Sequence, residues 1–329
     1  MNELRFDILG IGNAMVDVVT RVEDTFLSRH DMHKGAMILV DDKAAQTLYA
    51  AMPPGTESSG GSAGNTCAVA AALGARVAYL GKVADDQLGE VFAHDMRAQG
   101  VHFPSPRLTG GAPTARCLIL VTPDGQRTMN TYLGACVTFG EADVDEELVA
   151  SAAVTYLEGY LFDPPAAQVA FRRAAAAAHR SGRQVALSLS DAFCVGRHRE
   201  AFRDLVAGHV DILFANETEI TSLYEKNTFE EAAEAARADV ALAALTRSEA
   251  GSVILRGDET VTVAAESAKV VDTTGAGDAY AAGFLAGWTA GKPLTVCGRM
   301  GSVAAAEIIS HYGARPEADL KALMAKALG

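Results

Sequence analysis

From Glu141 onward the chain repeats one pattern: a short aliphatic run, a turn, then a longer stretch with helical spacing. Val154–Leu157, Gln184–Leu189, Ile212–Ala215, Leu242–Thr246 and Ser252–Arg256 read as strands. Pro164-Pro165 opens a helix that Gly182 closes, another lies near Arg199–Ala207, and the last part of the chain is helical. Strands separated by helices are joined by crossovers, so they lie parallel and carry helices on both faces of the sheet. The beginning of the chain fits the same scheme. Phe6–Leu9 reads as a buried strand running into Gly10-Ile11-Gly12, and Val77–Leu80 as another. Thr66–Leu73 reads as a helix of small residues stopped by Gly74, and Gln87–Gln99 as one capped by Asp86 and stopped by Gly100. The expectation is an α/β fold with a mostly parallel sheet and helices on both faces.

One region departs from this alternation. Ala115–Val121 and Arg127–Leu133 flank Thr122-Pro123-Asp124-Gly125-Gln126, which is hairpin chemistry. With Met15–Val22 and Ala36–Val40, expected to pair with each other, the hairpin predicts a small β-sheet lid. Its pieces come from discontinuous segments, about 14–41 and 112–136. No linker or internal repeat interrupts the chain, so residues 1–329 are expected to form a single domain.

Composition removes several classes of function. A net charge of −13 opposes binding to nucleic acid or to an anionic membrane. The longest apolar stretches are rich in Ala and broken by charges, so no membrane span is expected. The five cysteines, Cys67, Cys117, Cys136, Cys194 and Cys297, form no C-x-x-C pair, which argues against a disulfide framework or a zinc ribbon. Glu3 and Asp7 interrupt the first apolar run and no basic region precedes it, unlike a secretory signal. The expected compartment is the cytoplasm. His30, His33 and His311 have no metal-site spacing and are expected on the surface.

The chemistry concentrates in Val270-Val271-Asp272-Thr273-Thr274-Gly275-Ala276-Gly277-Asp278-Ala279-Tyr280. The valines suggest the end of a strand, and an apolar helical run follows. Gly275, Ala276 and Gly277 would present backbone N–H groups at a helix N-terminus, where an anion binds. A carboxylate at Asp278 repels that anion, but suits a base that takes a proton from an attacking hydroxyl. The same residues also fit an ordinary helix start, with glycines in the turn and Asp in the first turn. Elsewhere, Gly10-Ile11-Gly12 invites a dinucleotide reading, but Met15 stands where the third glycine belongs. The chain contains no G-x-x-x-x-G-K-[ST] stretch, which excludes a P-loop.

Asp-Thr-Thr-Gly-Ala-Gly-Asp at 272–278 resembles the C-terminal signature of the ribokinase-like (PfkB) family of sugar and nucleoside kinases. Gly60-Gly61-Ser62-Ala63-Gly64-Asn65, followed by Gly81-Lys82-Val83-Ala84-Asp85-Asp86 and Gly89, is similar to that family's N-terminal signature. Asn216-Glu217-Thr218-Glu219 fits its Asn-x-x-Glu motif. Val210–Glu219 and Leu187-Ser188-Leu189-Ser190 look most like the adenosine-kinase branch.

The resemblance implies a ribokinase-like fold and ATP-dependent transfer of a phosphoryl group to the 5′-hydroxyl of a purine nucleoside, adenosine first. A free sugar such as ribose or fructose, or inosine or guanosine, is the nearest alternative acceptor. Asp278 would be the base, Gly275, Ala276 and Gly277 the anion hole, and Arg127 a lid arginine that reaches the transferring phosphate. Asp17, on one face of an extended segment, would hold two vicinal hydroxyls with its two oxygens. Asn13, Gly60, Gly61 and Asn65 would line the acceptor site, with Tyr160 and Phe193 stacking on a base. Asn216, Thr246 and Gly251 would contact the nucleotide. Asn216 and Glu219 would organise Mg²⁺ through water, although Glu219 also suits half of a capping box. The family further suggests a monovalent cation, K⁺, near Asp272 and Thr274. The expected oligomeric state is monomer or homodimer. A dinucleotide-dependent oxidoreductase leaves the Asp278 region unexplained. A non-catalytic binding protein is opposed by the intact 275–278 stretch.

Overall fold

Strand β1 (Phe6–Ile11) is buried because its side chains alternate between two cores: Ile8 packs on one side, Leu9 and Ile11 on the other. Gly10 completes the alternation by absence, since a Cβ there would lie 2.4 Å from Cys67 Sγ on the Ser62–Ala72 helix. The computed structural model describes residues 3–329. The strands that follow are β2 (Met15–Arg21), β3 (Met37–Leu39), β4 (Thr56–Gly60), β5 (Val77–Leu80), β6 (Val101–His102), β7 (Ala115–Val121) and β8 (Arg127–Tyr132). After them come β9 (Ala152–Glu158), β10 (Gln184–Ser188), β11 (Ile212–Asn216), β12 (Leu242–Thr246), β13 (Ser252–Arg256) and β14 (Glu259–Val263).

Among the described residues these strands form two sheets. The nine-stranded sheet has the order β14-β13-β12-β11-β10-β9-β1-β5-β6. It is parallel from β6 through β12, and β13 and β14 add an antiparallel edge. The helices Pro165–Arg180, Arg199–His209 and Phe229–Asp239 contribute to the core that holds Leu9 and Ile11. The helices Ser62–Ala72, Ala276–Thr289 and Leu294–Ile308 contribute to the core that holds Ile8. The chain runs outward in one direction from β1 to β5 and β6, and in the other from β9 to β12. The order therefore reverses between β1 and β9, and it is beyond the carboxyl ends of the strands at such a reversal that open α/β sheets bind their ligands.

The smaller sheet has five strands in the order β3-β8-β7-β2-β4. The 115–133 hairpin is present as β7 and β8. Ala36–Val40 does not pair with Met15–Val22 as the sequence suggested. Both edges of β2 are taken by β7 and β4, so Met37–Leu39 pairs with β8 instead. Thr-Glu-Ser-Ser-Gly at Thr56–Gly60 carries no apolar alternation, so its strand form comes from pairing with β2. Val270-Val271 is not a strand end. Its segment is irregular, and Val271 N–H donates to Ile309 O at 2.8 Å.

Candidate active site

The carboxyl ends of β1 and β9 meet at Glu158. Its Oε1 accepts from Asn13 N at 3.2 Å and Asn13 Nδ2 at 2.8 Å, and its Oε2 accepts from Ala63 N at 2.7 Å. Burial pushes the Glu158 carboxyl up to about 7 against these donors. A Cβ on Gly12 would lie 2.3 Å from Glu158 Oε2. Gly10 and Gly12 are thus required by close packing of helix and carboxylate, which answers the dinucleotide reading. Asn13 Oδ1 is buried and has no partner, an acceptor left open beside the crevice.

Asp278 sits in the first turn of the Ala276–Thr289 helix, whose N-cap Gly275 has φ +79°. Its Oδ1 accepts from Ser62 Oγ at 2.6 Å and its Oδ2 from Asn65 Nδ2 at 2.9 Å. The two signature segments, more than two hundred residues apart, therefore meet at one carboxylate. Burial raises the Asp278 pKa, while Ser62, Asn65 and Arg315 act to lower it. Ala276 N–H turns back to Thr273 O at 3.2 Å, whereas the amides of Gly275 and Gly277 make no backbone hydrogen bond to a described residue. A Cβ on Gly277 would meet nothing within 4 Å, so this amide borders open space.

Asp17 lies on β2, opposite Ser58 of β4 and Cys117 of β7. A Cβ on Gly60 would stand 2.5 Å from its carboxyl carbon, so glycine is the residue that leaves room for this carboxylate. Asp17 accepts no hydrogen bond from any described residue, and burial raises it to about 6 against the opposing charges of Arg315 and Arg127. Gly61, with φ +84°, turns the chain from β4 into the Ser62–Ala72 helix; a Cβ there would also meet Asn13 O at 2.1 Å.

Arg315 was not singled out from the sequence. It follows the Leu294–Ile308 helix in a loop, and its Nη2 donates to Ser59 O at 2.5 Å and Ser59 Oγ at 3.0 Å. Its Nη1 donates to Asn65 Oδ1. Glu158, Ser62 and Arg315 all belong to the site. A lone Arg in Gly-Ala-Arg-Pro carries no pattern that marks it, whereas Ser62 lay inside a recognised stretch.

Arg127, expected to reach the transferring phosphate on lid closure, is here ion-paired with Asp272. Asp272 also accepts from Thr274 N and Gly313 N, each at 3.0 Å. A carboxylate already neutralised by a guanidinium does not fit the expected K⁺ site. Asn216 and Glu219, at the end of β11, form a complete capping box: Glu219 N donates to Asn216 Oδ1 and Asn216 N to Glu219 Oε2, both at 2.9 Å. Burial raises Glu219 to about 7. Thr246 is Asn216's register partner on β12, and Gly251 closes the adjoining turn with φ +83°.

Tyr160 follows Glu158 in a short turn and is 40 % exposed; Phe193 is 80 % exposed. They make no ring contact with each other among the described residues. His311 is not on the open surface as expected: its side chain is 11 % exposed and lies 3.2 Å from Glu307. Lys82, Asp86 and Gly89 of the N-terminal signature are structural: Lys82 pairs with Asp143, Asp86 holds Thr114, and a Cβ on Gly89 would meet Ala84 O at 2.1 Å. All five cysteines are buried and unpaired. Among the described residues no three His, Cys, Asp or Glu side chains are grouped to hold a metal, and no helix is long and apolar enough to cross a membrane.

A doubly wound sheet with a second small sheet, and a carboxylate at a glycine-rich helix N-terminus, define a ribokinase-like phosphotransferase. Residues 36–320 match the model of the pfkB family of carbohydrate kinases, and the chain belongs to that family. It is a kinase whose acceptor is a hydroxyl group. The adenosine kinase of Dictyostelium discoideum is 29 % identical over 333 residues, spanning 93 % of this chain and 95 % of that one. The crystal structure of the adenosine kinase from Sinorhizobium meliloti is 53 % identical, with a TM-score of 0.90, covering 98 % of this chain and 99 % of that one. A probable sugar kinase from Rhizobium etli CFN 42 is 51 % identical, with a TM-score of 0.91 over the same shares.

Proposed function

We propose that this kinase transfers the γ-phosphoryl group of ATP to the 5′-hydroxyl of a purine nucleoside, adenosine foremost. The observation that carries the acceptor assignment is Asp17, a carboxylate in the crevice with no hydrogen-bond partner of its own. A half-buried carboxylate with both oxygens open offers two acceptors to a ligand, and the 2′- and 3′-hydroxyls of a ribosyl group supply two donors. The 53 % identity to the Sinorhizobium adenosine kinase favours a nucleoside. The 51 % identity to the Rhizobium probable sugar kinase keeps a free sugar as the second reading.

In this reading Asp278 takes the proton of the attacking hydroxyl as the new O–P bond forms. The bond from the γ-phosphorus to the bridging oxygen breaks, and ADP leaves with that electron pair. The Gly275 and Gly277 amides stabilise charge on the transferring oxygens. Asp17, Asn13, Gly60, Gly61 and Asn65 hold the acceptor in line, and Tyr160 and Phe193 flank the base. Asn216, Thr246 and Gly251 border the nucleotide. Mg²⁺, when bound, neutralises triphosphate charge; with no all-protein cage among the described residues, it suits Asn216 and Glu219 only through its retained waters. The smaller sheet, residues 14–41 and 112–136 with Thr56–Gly60, serves as a lid of this single domain, excluding water from the acceptor. Cytoplasmic residence accords with five free thiols.

The test is ADP release with adenosine, inosine, guanosine, ribose and fructose under identical conditions. Adenosine should exceed ribose and fructose by about a hundredfold or more in kcat/KM, because a stacked base adds a few kcal/mol. A preference for a free sugar overturns the nucleoside assignment and leaves the kinase standing.

A further inference from the structure

The Arg315 guanidinium touches neither end of the expected chemistry, yet it is the cation built into the acceptor crevice. Asn65 connects it to the base. The Asn65 amide has an acceptor end and a donor end, and its neighbours leave it one orientation. A guanidinium only donates, so Asn65 Oδ1 faces Arg315; a carboxylate only accepts, so Nδ2 faces Asp278. The other guanidinium nitrogen is anchored on Ser59, whose own N–H donates to Asp95 Oδ2 at 2.8 Å and whose hydroxyl donates to it at 2.5 Å. The chain Asp95–Ser59–Arg315–Asn65–Asp278 thus runs from the Gln87–Ala98 helix, through the end of β4, to the N-terminus of the Ala276–Thr289 helix.

We propose that Arg315 is the positioning residue for the phosphotransfer base: it fixes the amide of Asn65 against Asp278 and places a positive charge behind that amide. This deepens the function proposed above and rests on it for the word base. Neither half is a property of the signature stretches, because Arg315 lies outside them.

The charge environment of Asp278 makes a cation there consequential. Asp17 from β2, Glu158 from β9 and Glu219 from the Glu217–Tyr224 helix each interact with Asp278, and each is a carboxylate whose own pKa is raised. The Tyr156 and Tyr160 hydroxyls also face it, and burial pushes both upward. Against this acidic surround, Arg315 interacts favourably with Asp17, Asp95 and Asp278, which hold its charge although burial works against it. Removing it should let Asp278 keep its proton to higher pH.

The experiment compares the parent with Arg315→Met and Arg315→Lys. Two readouts are taken: the pH profile of kcat/KM for adenosine, and the ¹³C carboxyl titration of Asp278, identified by its absence in Asp278→Asn. In Arg315→Met, the acid limb and the carboxyl midpoint should both move up by about one pH unit, with kcat down at least about tenfold. In Arg315→Lys, the charge returns without the two-nitrogen fork. The acid limb should then stay within about 0.3 units of the parent while kcat remains several-fold low. A uniform loss of activity in Arg315→Met, with neither midpoint moved, overturns the proposal and makes Arg315 a packing residue. Should Arg315→Met fail to fold, parent-like kcat in Arg315→Lys overturns it, and a lowered kcat with the limb in place supports it. If the parent releases no ADP with any acceptor, the function proposed above falls by itself. The carboxyl titration still decides whether Arg315 governs Asp278.

Discussion

Arg127 of β8 and Asp272, 145 residues later, form a buried ion pair that ties the smaller sheet to the loop entering the Ala276–Thr289 helix. Their side chains are 9 % and 6 % exposed. Removing one member of such a pair leaves a charge that water cannot reach. Arg127→Met should therefore destabilise the protein by about 3 kcal/mol, the lower end for a broken buried pair, because Thr274 and Gly313 still donate to Asp272. Arg127→Met/Asp272→Asn should recover part of that loss. Denaturant melts of the parent, both single variants and the double variant give the coupling; additivity within about 0.5 kcal/mol contradicts the pairing.

Gly60→Ala tests the space that Asp17 occupies. The new methyl would lie 2.5 Å from the Asp17 carboxyl carbon and force that side chain aside. Acceptor kcat/KM should fall at least about tenfold, since a small misplacement of a positioning group has that scale of effect. The KM for ATP should change little. Equal losses toward both substrates would show that Gly60 serves the fold rather than the acceptor.

Asp17→Ala should weaken acceptor use far more than ATP binding, and 2′-deoxyadenosine should partly reproduce the defect in the parent. Losing hydrogen bonds to a charged group costs about 1.5–3 kcal/mol, or roughly ten- to a hundredfold in kcat/KM. Unchanged acceptor kinetics in Asp17→Ala would remove the carboxylate from the acceptor site.

Asp278→Asn keeps the shape of the side chain but removes the basic oxygen. Turnover should fall about 10²- to 10⁴-fold while ATP still binds. Activity within a few-fold of the parent would exclude the role of base.

Glu219 gives a pH test of stability that needs no substrate. Its folded pKa, about 7, lies above the 4.5 of an ordinary glutamate. Between those values the folded chain holds a proton the unfolded chain has lost. The stability this contributes is fully present below about pH 4.5 and disappears as pH rises through about 7. Glu219→Gln retains a capping-box residue type but has nothing to titrate. Relative to the parent, the variant should gain on the order of 2 kcal/mol between pH 5 and pH 8. Asp17 and Glu158 shift in the same direction and cancel in this comparison. A pH-independent difference between the two proteins would contradict the raised pKa of the buried Glu219 carboxyl.

The sequence by itself determined the layered fold. Alternation of strand and helix runs is a local property, and a parallel sheet covered on both faces is the arrangement that buries them. The hairpin at 115–133 and the caps at Asp86 and Gly275 were legible for the same reason: turn chemistry acts over four or five residues. The glycine-rich stretches marked where the chain must pass close to something, but not what. Only the tertiary structure decided that Gly60 makes room for Asp17, that Gly12 makes room for Glu158, and that Arg127 meets Asp272. Each joins segments with no local relation, and a long-range contact leaves no periodic trace in either partner. Thr56–Gly60 shows the limit for the fold, since a polar edge strand exists through its neighbour's hydrogen bonds rather than its own side chains. Arg315 shows it for the site: 250 residues from Asn65, it acquires a role when the loop after the last long helix folds back over the crevice.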